Sequence, residues 1–242
     1  MRGPSARDVL QLAWEYPVFT PQAVTTPEGR TSAKQVRKAL SAEEAFAAVA
    51  GDDPRPLLVL RECFVCNGTD DALLSRGQVD NEKTFLFSRW FHCVKLPPDV
   101  LEDDHPFKNL FPGGTSEHLF MATRDGRLRV PLESERSRTE LWGSMVQVLS
   151  ADYRSDPQRS LKEIQGLLDD LDAVDLEIAR LQTRMDELLE TDGPGSRKLD
   201  KIQKKLGQAK AERDTLLGEV TKASTLELKD ATAGRPGEQS AG

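Results

Sequence analysis

A heptad pattern over the last third of the chain, broken once, constrains its fold more than any other feature. Ile164, Leu171, Ile178 and Met185 recur every seven residues, and Leu167, Val174, Leu181 and Leu188 form the companion series. Apolar residues at this period make a seam along one side of an α-helix. Asp156-Pro157 supplies the start signal, an N-cap followed by proline at the first helical position. Asp192-Gly193-Pro194-Gly195-Ser196 stops the helix. A second series comes after it, Leu199, Ile202, Leu206, Ala209, Leu216, Val220 and Ala223, with Arg213 where an apolar residue would continue the seam. Two such helices joined by so short a break are expected to fold back as an antiparallel coiled-coil hairpin over residues 157–225. Arms of roughly thirty residues would reach about 45–50 Å. A two-helix hairpin has little core of its own, and Leu168, Leu189 and Leu217 lie beside its seams. This predicts self-association or docking of a protein partner, the alternative being a self-contained hairpin. Lys201, Lys204, Lys205, Glu187 and Glu190 read as a solvated face.

The chain before the hairpin carries shorter signals. Residues 1–40 read as an N-terminal extension. Val9, Leu10, Leu12, Ala13 and Trp14 predict a short amphipathic helix, and Pro17, Pro21 and Pro27 interrupt the chain beyond it. Trp14 and Phe19 are candidate anchors for an arm lying on a domain surface. Ser41-Ala42-Glu43-Glu44 fits a capping box, Ala45, Phe46 and Val49 form an apolar stripe, and Gly51-Asp52-Asp53-Pro54 ends the helix. Leu57 to Leu60 is a short, continuous apolar run and reads as a buried strand. Asn67-Gly68 signals a turn, and Thr69 or Asp70 is placed to cap a short helix through Leu73-Leu74. Thr84-Phe85-Leu86-Phe87 reads as the next strand, extended or interrupted toward Val94 and stopped by Pro97-Pro98. Pro106 to Phe111 predicts one or two helical turns. His118–Thr123 and Arg127–Leu132 predict two strands joined across Arg124-Asp125-Gly126, since Asp-Gly between apolar runs signals a hairpin. Ser137-Arg138-Thr139-Glu140 is a second capping box, opening a helix whose buried face is Leu141, Trp142, Met145, Val148 and Leu149. The predicted class is therefore α/β, a mixed sheet flanked by helices over residues 41–153, followed by the α-helical hairpin.

Cys63-Phe64-Val65-Cys66 stands just past the first strand. A C-x-x-C pair in that position is a redox or metal motif. With the strand Leu57–Leu60, the pair, the terminal hairpin His118–Leu132 and its helix, the chain from about Ser41 to Tyr153 resembles the thioredoxin-like family. That resemblance implies a thiol–disulfide redox pair, with Cys63 as nucleophile and Cys66 as resolving thiol. It also implies that His118 faces the cysteines, where the family places a cis-proline. The sequence there reads Thr115-Ser116-Glu117-His118, so a trans loop is expected. The spacer Phe64-Val65 is bulky and apolar, and Glu62 before the pair is a carboxylate that opposes thiolate formation.

The other candidate residues have plainer readings. Cys93 reads as a buried small hydrophobe. A metal-binding module would combine Cys63 and Cys66 with two of Cys93, His92 and His118. His105, in the acidic run after Glu102-Asp103-Asp104, reads as a helix-start residue, and the pairs Asp103-Asp104 and Asp169-Asp170 read as solvation. No phosphate loop, nucleophile elbow or H-E-x-x-H motif is present, and no cofactor is expected. A net charge of -7 argues against a nucleic-acid partner, which would need a basic face. An odd count of three cysteines does not suit a disulfide-stapled scaffold. No apolar run approaches the ~20 residues of a membrane span, and the first residues have no apolar core of a secretory signal, so no membrane partner and a cytoplasmic setting are expected. Residues 226–242 read as a disordered tail. Three functions are compatible with these signals: a redox protein with a docking or oligomerising arm, a non-catalytic scaffold on a degenerate thioredoxin-like domain, or a Cys/His metal-binding module.

Overall fold

The computed structural model describes residues 2–17, 37–63, 81–133 and 137–229. In chain order it contains α1 (Pro4–Val9), α2 (Ala42–Ala50), β1 (Leu57–Arg61), α3 (Glu82–Ser88), β2 (His92–Leu96), β3 (Glu117–Ala122), β4 (Arg129–Glu133), α4 (Arg138–Asp152), α5 (Pro157–Asp192) and α6 (Arg197–Ala223). Short 3-10 turns at Pro98–Leu101, Lys108–Leu110 and Gly114–Ser116 link β2 to β3. The chain divides into two compact units. One holds the described residues of Met1–Trp14, Asn67–Trp90 and Gln158–Thr225, and the other those of Glu15–Cys66, Phe91–Pro157 and Leu226–Gly242. The units thus interleave along the chain, and α3 and α1 belong with the long helices.

The sheet unit is a four-stranded mixed sheet in the order β2-β1-β3-β4. β1 runs parallel to β2, with Val59 opposite Val94, and antiparallel to β3, with Val59 opposite Phe120. β3 and β4 are antiparallel. Alternation along the strands sends Leu57 and Val59 of β1, Val94 and Leu96 of β2 and Phe120 and Ala122 of β3 into one cluster with Ala45, Phe46 and Val49 of α2 and with Phe107, Leu110 and Phe111. Phe46 and Phe111 meet Phe120 edge-on, with centroids at 6.0 Å and 5.4 Å. α4 packs against β3 and β4, and its Leu141, Met145, Val148 and Leu149 are buried. Both predicted capping boxes form. Ser41 Oγ accepts from Glu44 N at 3.2 Å while Glu44 Oε2 accepts from Ser41 N at 2.9 Å. Ser137 and Glu140 repeat the exchange at 3.3 Å and 2.8 Å. Near the other end of this unit, Leu228 bridges Tyr153 and Lys229 N donates to Asp152 O at 2.7 Å, so the first residues of the expected tail add to α4. The rest of that tail lies outside the described residues, as do Phe19 and the helix expected through Leu73-Leu74.

In the helical unit, α5 and α6 form the expected hairpin. Gly193, at φ +74°, and Ser196, whose hydroxyl accepts from Lys198 N at 3.3 Å, make the turn. Val174, Ile178, Leu181, Leu206 and Ala209 fill the seam, with Met185, Ile202 and Leu216 packed against it. Arg213, the seam's polar member, turns its guanidinium to Asp214 at 3.1 Å. Arg2 pairs with Glu82, Asp169 and Asp172, Ser5 N and Oγ both donate to Asp175, and Trp90 Nε1 donates to Ser224 O at 2.8 Å. These bonds tie α1 and α3 to the hairpin's base. Leu168 is fully buried there, against the expectation that it needs an outside cover, whereas Leu176 and Leu189 stay exposed at 72% and 43%.

Two local readings are corrected. Thr84–Phe87 lies in a helix, not a strand, and the strand begins at His92. Thr84, Phe85, Leu86 and Phe87 are all buried, and a short apolar run buried on every side carries neither the period of a strand nor that of a helix. Its polar cue is tertiary: buried Thr84 Oγ1 donates to Asn81 Oδ1 at 2.6 Å at the helix start. The N-terminal helix is Pro4–Val9, opening with proline, and residues 11–14 have no regular structure.

The β3–β4 turn generates the first prediction. Gly126 has φ +72°, and a Cβ there would stand 2.8 Å from Phe46 Cδ2. Gly126→Ala should therefore cost more than about 1 kcal/mol, read as a lower midpoint in urea unfolding. A second concerns Glu82. Burial works to raise its carboxyl, but hydrogen bonds from Arg2 and Gln165 outweigh it and hold the group below the usual glutamate range. A depressed carboxylate contributes stability at neutral pH that is lost as acid titrates it through its folded value. Arg2→Gln should lower the thermal midpoint at pH 7 and have a smaller effect near pH 3.

Candidate functional site

β1 is the strand from which the site is built. Leu57, Leu58, Val59, Leu60 and Arg61 are all buried, and the chain emerges at Glu62 and Cys63, both half-buried. Glu62 stays tied to β2: its N–H donates to Leu96 O at 2.9 Å and its carboxylate pairs with Lys95 at 3.1 Å. The negative charge beside Cys63 is thus balanced by a lysine that the sequence reading did not connect to it. Cys63 is the last described residue of this segment. Cys66 lies outside the described residues.

Arg61 is the residue the sequence reading missed. It is 5% exposed, a charge closing an otherwise apolar strand, and such a charge needs partners where it is buried. Its guanidinium donates to Glu117 O at 3.1 Å and Thr115 O at 3.0 Å, and stands 3.4 Å from His118 Nε2. The run Leu57–Leu60 ending in arginine two residues before Cys63 was the available signal. His118, 6% exposed, sits in β3 at a register shift. Glu117 pairs with Glu133 and Leu119 with Leu132, so His118 is the extra residue on its strand. A bulge of this kind re-aims a side chain and bends the strand. The structure therefore brings His118 to Arg61 at the end of β1, and the peptide bonds from Thr115 to His118 are trans.

A buried ion pair stands beside this group. Glu117, with a side chain 6% exposed, pairs with Arg129, whose guanidinium lies 4.3 Å from the centre of the Phe120 ring and donates to Leu110 O at 2.8 Å. Gly113 N also donates to Glu117 Oε2, at 3.2 Å. The partners are twelve residues apart across a hairpin, so no local pattern announces them.

The remaining candidates lie elsewhere. β1–β2 register sets His92 beside Leu57 and Cys93 beside Leu58, about 16 Å of extended chain short of Cys63. Neither is gathered with Cys63 into the metal set that the spacing left open. Cys93 is a buried thiol outside any disulfide, and burial pushes its pKa up to about 12, which keeps it protonated. His92 Nε2 meets Glu15 Oε2 at 2.9 Å. Among the described residues, Glu15, Asp53 and His92 form the one group with metal-ligand atoms within 4.8 Å of one another. Both Asp53 oxygens are taken by Arg55, at 3.0 Å and 2.6 Å. Burial works to raise the Asp53 carboxyl, and Arg55 overrides it and holds the group below its usual range. An ion-pair network accounts for that cluster. His105 accepts from Phe107 N at 3.1 Å, and burial lowers its pKa. Asp103 pairs with Lys108, and Asp169 with Arg2. Among the described residues, no helix is long and apolar enough to cross a membrane.

The class this geometry defines is a mixed α/β sheet domain with a helical hairpin arm. No family model, no curated protein and no solved structure matches the chain.

Removing one partner of the Glu117–Arg129 pair leaves a buried charge without its counterion. Arg129→Met should destabilise the chain by about 3–5 kcal/mol in urea unfolding, and the double variant Glu117→Gln/Arg129→Met by less than that.

Proposed function

We propose that this is a thioredoxin-like protein in which Cys63 and Cys66 form a thiol–disulfide redox pair, and in which the coiled-coil hairpin is an arm for docking a partner protein. One observation carries the reading: Cys63 lies two residues past the central strand of a sheet ordered β2-β1-β3-β4, with a parallel β1–β2 pair and an antiparallel β3–β4 pair. That is the order expected when a strand, a C-x-x-C pair, a helical crossover and a terminal hairpin with its helix share one sheet. The cation of Arg61 two residues upstream supports it.

The chemistry conserves atoms and electrons. The Cys63 thiolate attacks a substrate disulfide, and one substrate sulfur leaves as a thiolate and takes up a proton. The Cys66 thiolate then attacks Cys63 Sγ in the mixed disulfide, releasing the second substrate thiol and leaving a Cys63–Cys66 disulfide. Two electrons pass from the dithiol to the substrate, and an external thiol donor restores the pair. Arg61 is a positioning residue here. Its bonds to the carbonyls of Thr115 and Glu117 hold the segment before β3, and its charge favours the thiolate form of a nearby cysteine.

Insulin disulfide reduction with dithiothreitol tests the reading. The wild-type chain should exceed a Cys63→Ser control. Arg61→Met should lower the rate and move the pH profile of Cys63 alkylation by iodoacetamide to higher pH, because loss of a cation disfavours the thiolate. Wild-type activity no greater than the Cys63→Ser control would leave the domain a scaffold for its arm.

A further inference from the structure

We propose that the face formed by α3 and α5 at the base of the hairpin is a selective seat for residues 2–9, and that two copies of the chain associate by exchanging this segment, each filling the seat of the other. The exchange is independent of the cysteine chemistry. Carboxylates build the seat. Glu82 comes from α3, and Asp169, Asp172 and Asp175 recur at every third residue of α5, close enough along the helix to act as neighbours.

The seat reads side chain and backbone together. Arg2 Nε and Nη2 donate to the two oxygens of Glu82 at 2.7 Å and 3.1 Å, and its Nη1 donates to Asp169 and Asp172. Such a fork requires a guanidinium and is not reproduced by lysine. Gly3 N donates to Asp172 Oδ1 at 2.6 Å. A Cβ on Gly3 would stand 2.9 Å from Asp175 Oδ2 and 3.1 Å from Asp172 Oδ1. Asp175 cannot withdraw without giving up its bonds from Ser5 N at 2.8 Å and Ser5 Oγ at 2.9 Å. Pro4 opens α1, and Ala6 and Val9 are buried. An arginine followed by glycine, proline and serine is therefore what the seat selects.

An empty seat is unfavourable, because Glu82, Asp169 and Asp172 would lose the one cation that all three share. Association through this face must return an equivalent segment to it, and a second copy carries the same one. α1 has six residues, too few to hold as a helix in isolation, so it forms where it docks. Residues 11–14 have no regular structure, and a link of that kind re-aims the segment without breaking an element. Exchange preserves each bond, and two-fold reciprocity closes the assembly with no seat unfilled. Within one chain the tether gives the segment an effective concentration on the order of millimolar. Closed monomers therefore prevail in dilute protein, and exchange grows with concentration. The same carboxylates exclude an acidic peptide or a nucleic acid from the seat.

The test mixes two full-length variants, neither of which closes on itself. Arg2→Glu spoils the segment and leaves the seat intact. Glu82→Lys/Asp172→Lys spoils the seat and leaves the segment intact. In the mixture each segment finds a seat of opposite charge only on the other chain. Light scattering after size exclusion should show each variant alone as a monomer, and the equimolar mixture should hold at least tenfold more of the two-chain species. All three substitutions in one chain should restore the closed monomer and raise the thermal midpoint above that of either variant, which separates recognition from a folding defect. If the reversed seat does not fold, Glu82→Gln takes its place in the mixture, since it removes the charge and keeps the side chain's shape. Monomers alone in the mixture, or as much dimer in either variant by itself, would overturn the proposal. So would capture of a synthetic peptide of residues 2–10 by Arg2→Glu chains that stay monomeric in the mixture, which would give the seat to a segment of a separate protein.

Discussion

Leu57, Leu58 and Val59 have no solvent exposure at all, and Leu60 has 2%. A strand this apolar needs cover on both faces, and its backbone groups need partners along both edges. The sheet answers that demand. β2 closes one edge in parallel register and β3 the other in antiparallel register. Parallel pairing requires a long crossover between β1 and β2, and antiparallel pairing lets β3 and β4 return through the turn at Gly126. Full burial of each aliphatic side chain contributes roughly 1.5–3 kcal/mol, so four in succession make β1 the element least able to shift. Because its register fixes where Val59, Val94 and Phe120 meet, α2 and the aromatic side chains of Phe46 and Phe111 can dock on a defined surface.

The end of β1 is where this apolar order gives way to charge. Arg61, Glu117 and His118 are each at most 6% exposed, and ions are costly in such surroundings unless each is hydrogen-bonded. Arg61 meets that cost with the carbonyls of Thr115 and Glu117, Glu117 with Arg129 and the Gly113 N–H. The same bonds hold the segment leading into β3 against the strand that leads to Cys63. Buried charges that fasten one loop to one strand end act as a positioning device, and they coincide with the only irregularity in the β3–β4 register. The opposite end of the sheet, at Asp53, Arg55, His92 and Glu15, also carries paired charges, but its one thiol, Cys93, is kept protonated by burial.

The hairpin resolves its own shortage of core in two ways. Toward its base, Arg2, Ser5 and Trp90 bond to Asp169, Asp172, Asp175 and Ser224 of the hairpin, and Leu161, Ile164, Leu168 and Leu171 are all buried. Toward its turn Leu189 is 43% exposed, and the ion pairs shown there, Arg184–Glu187 and Lys198–Asp192, lie within the hairpin itself. That difference along one hairpin is not written in the heptad pattern, which is the same at both ends.

Local and periodic signals were legible in the chain itself. The heptads of α5 and α6, the break at Asp192–Ser196, the two serine capping boxes, the Asp-Gly turn and the apolar run of β1 each draw on residues within a turn or two of one another, and each forms as expected. Tertiary structure alone decided the rest. Whether Thr84–Phe87 was strand or helix depended on what surrounded it, since a run buried on every side has no exposed face to mark its period. Where Arg61, Glu117 and Arg129 found partners depended on register, because charge pairs across a sheet are set by strand alignment and not by spacing. The sequence by itself determined which segments would be helical arm, central strand and turn. The folded chain determined that His118 and Arg61 would share the strand end beside Cys63, because desolvated charges accept only partners brought within hydrogen-bonding distance.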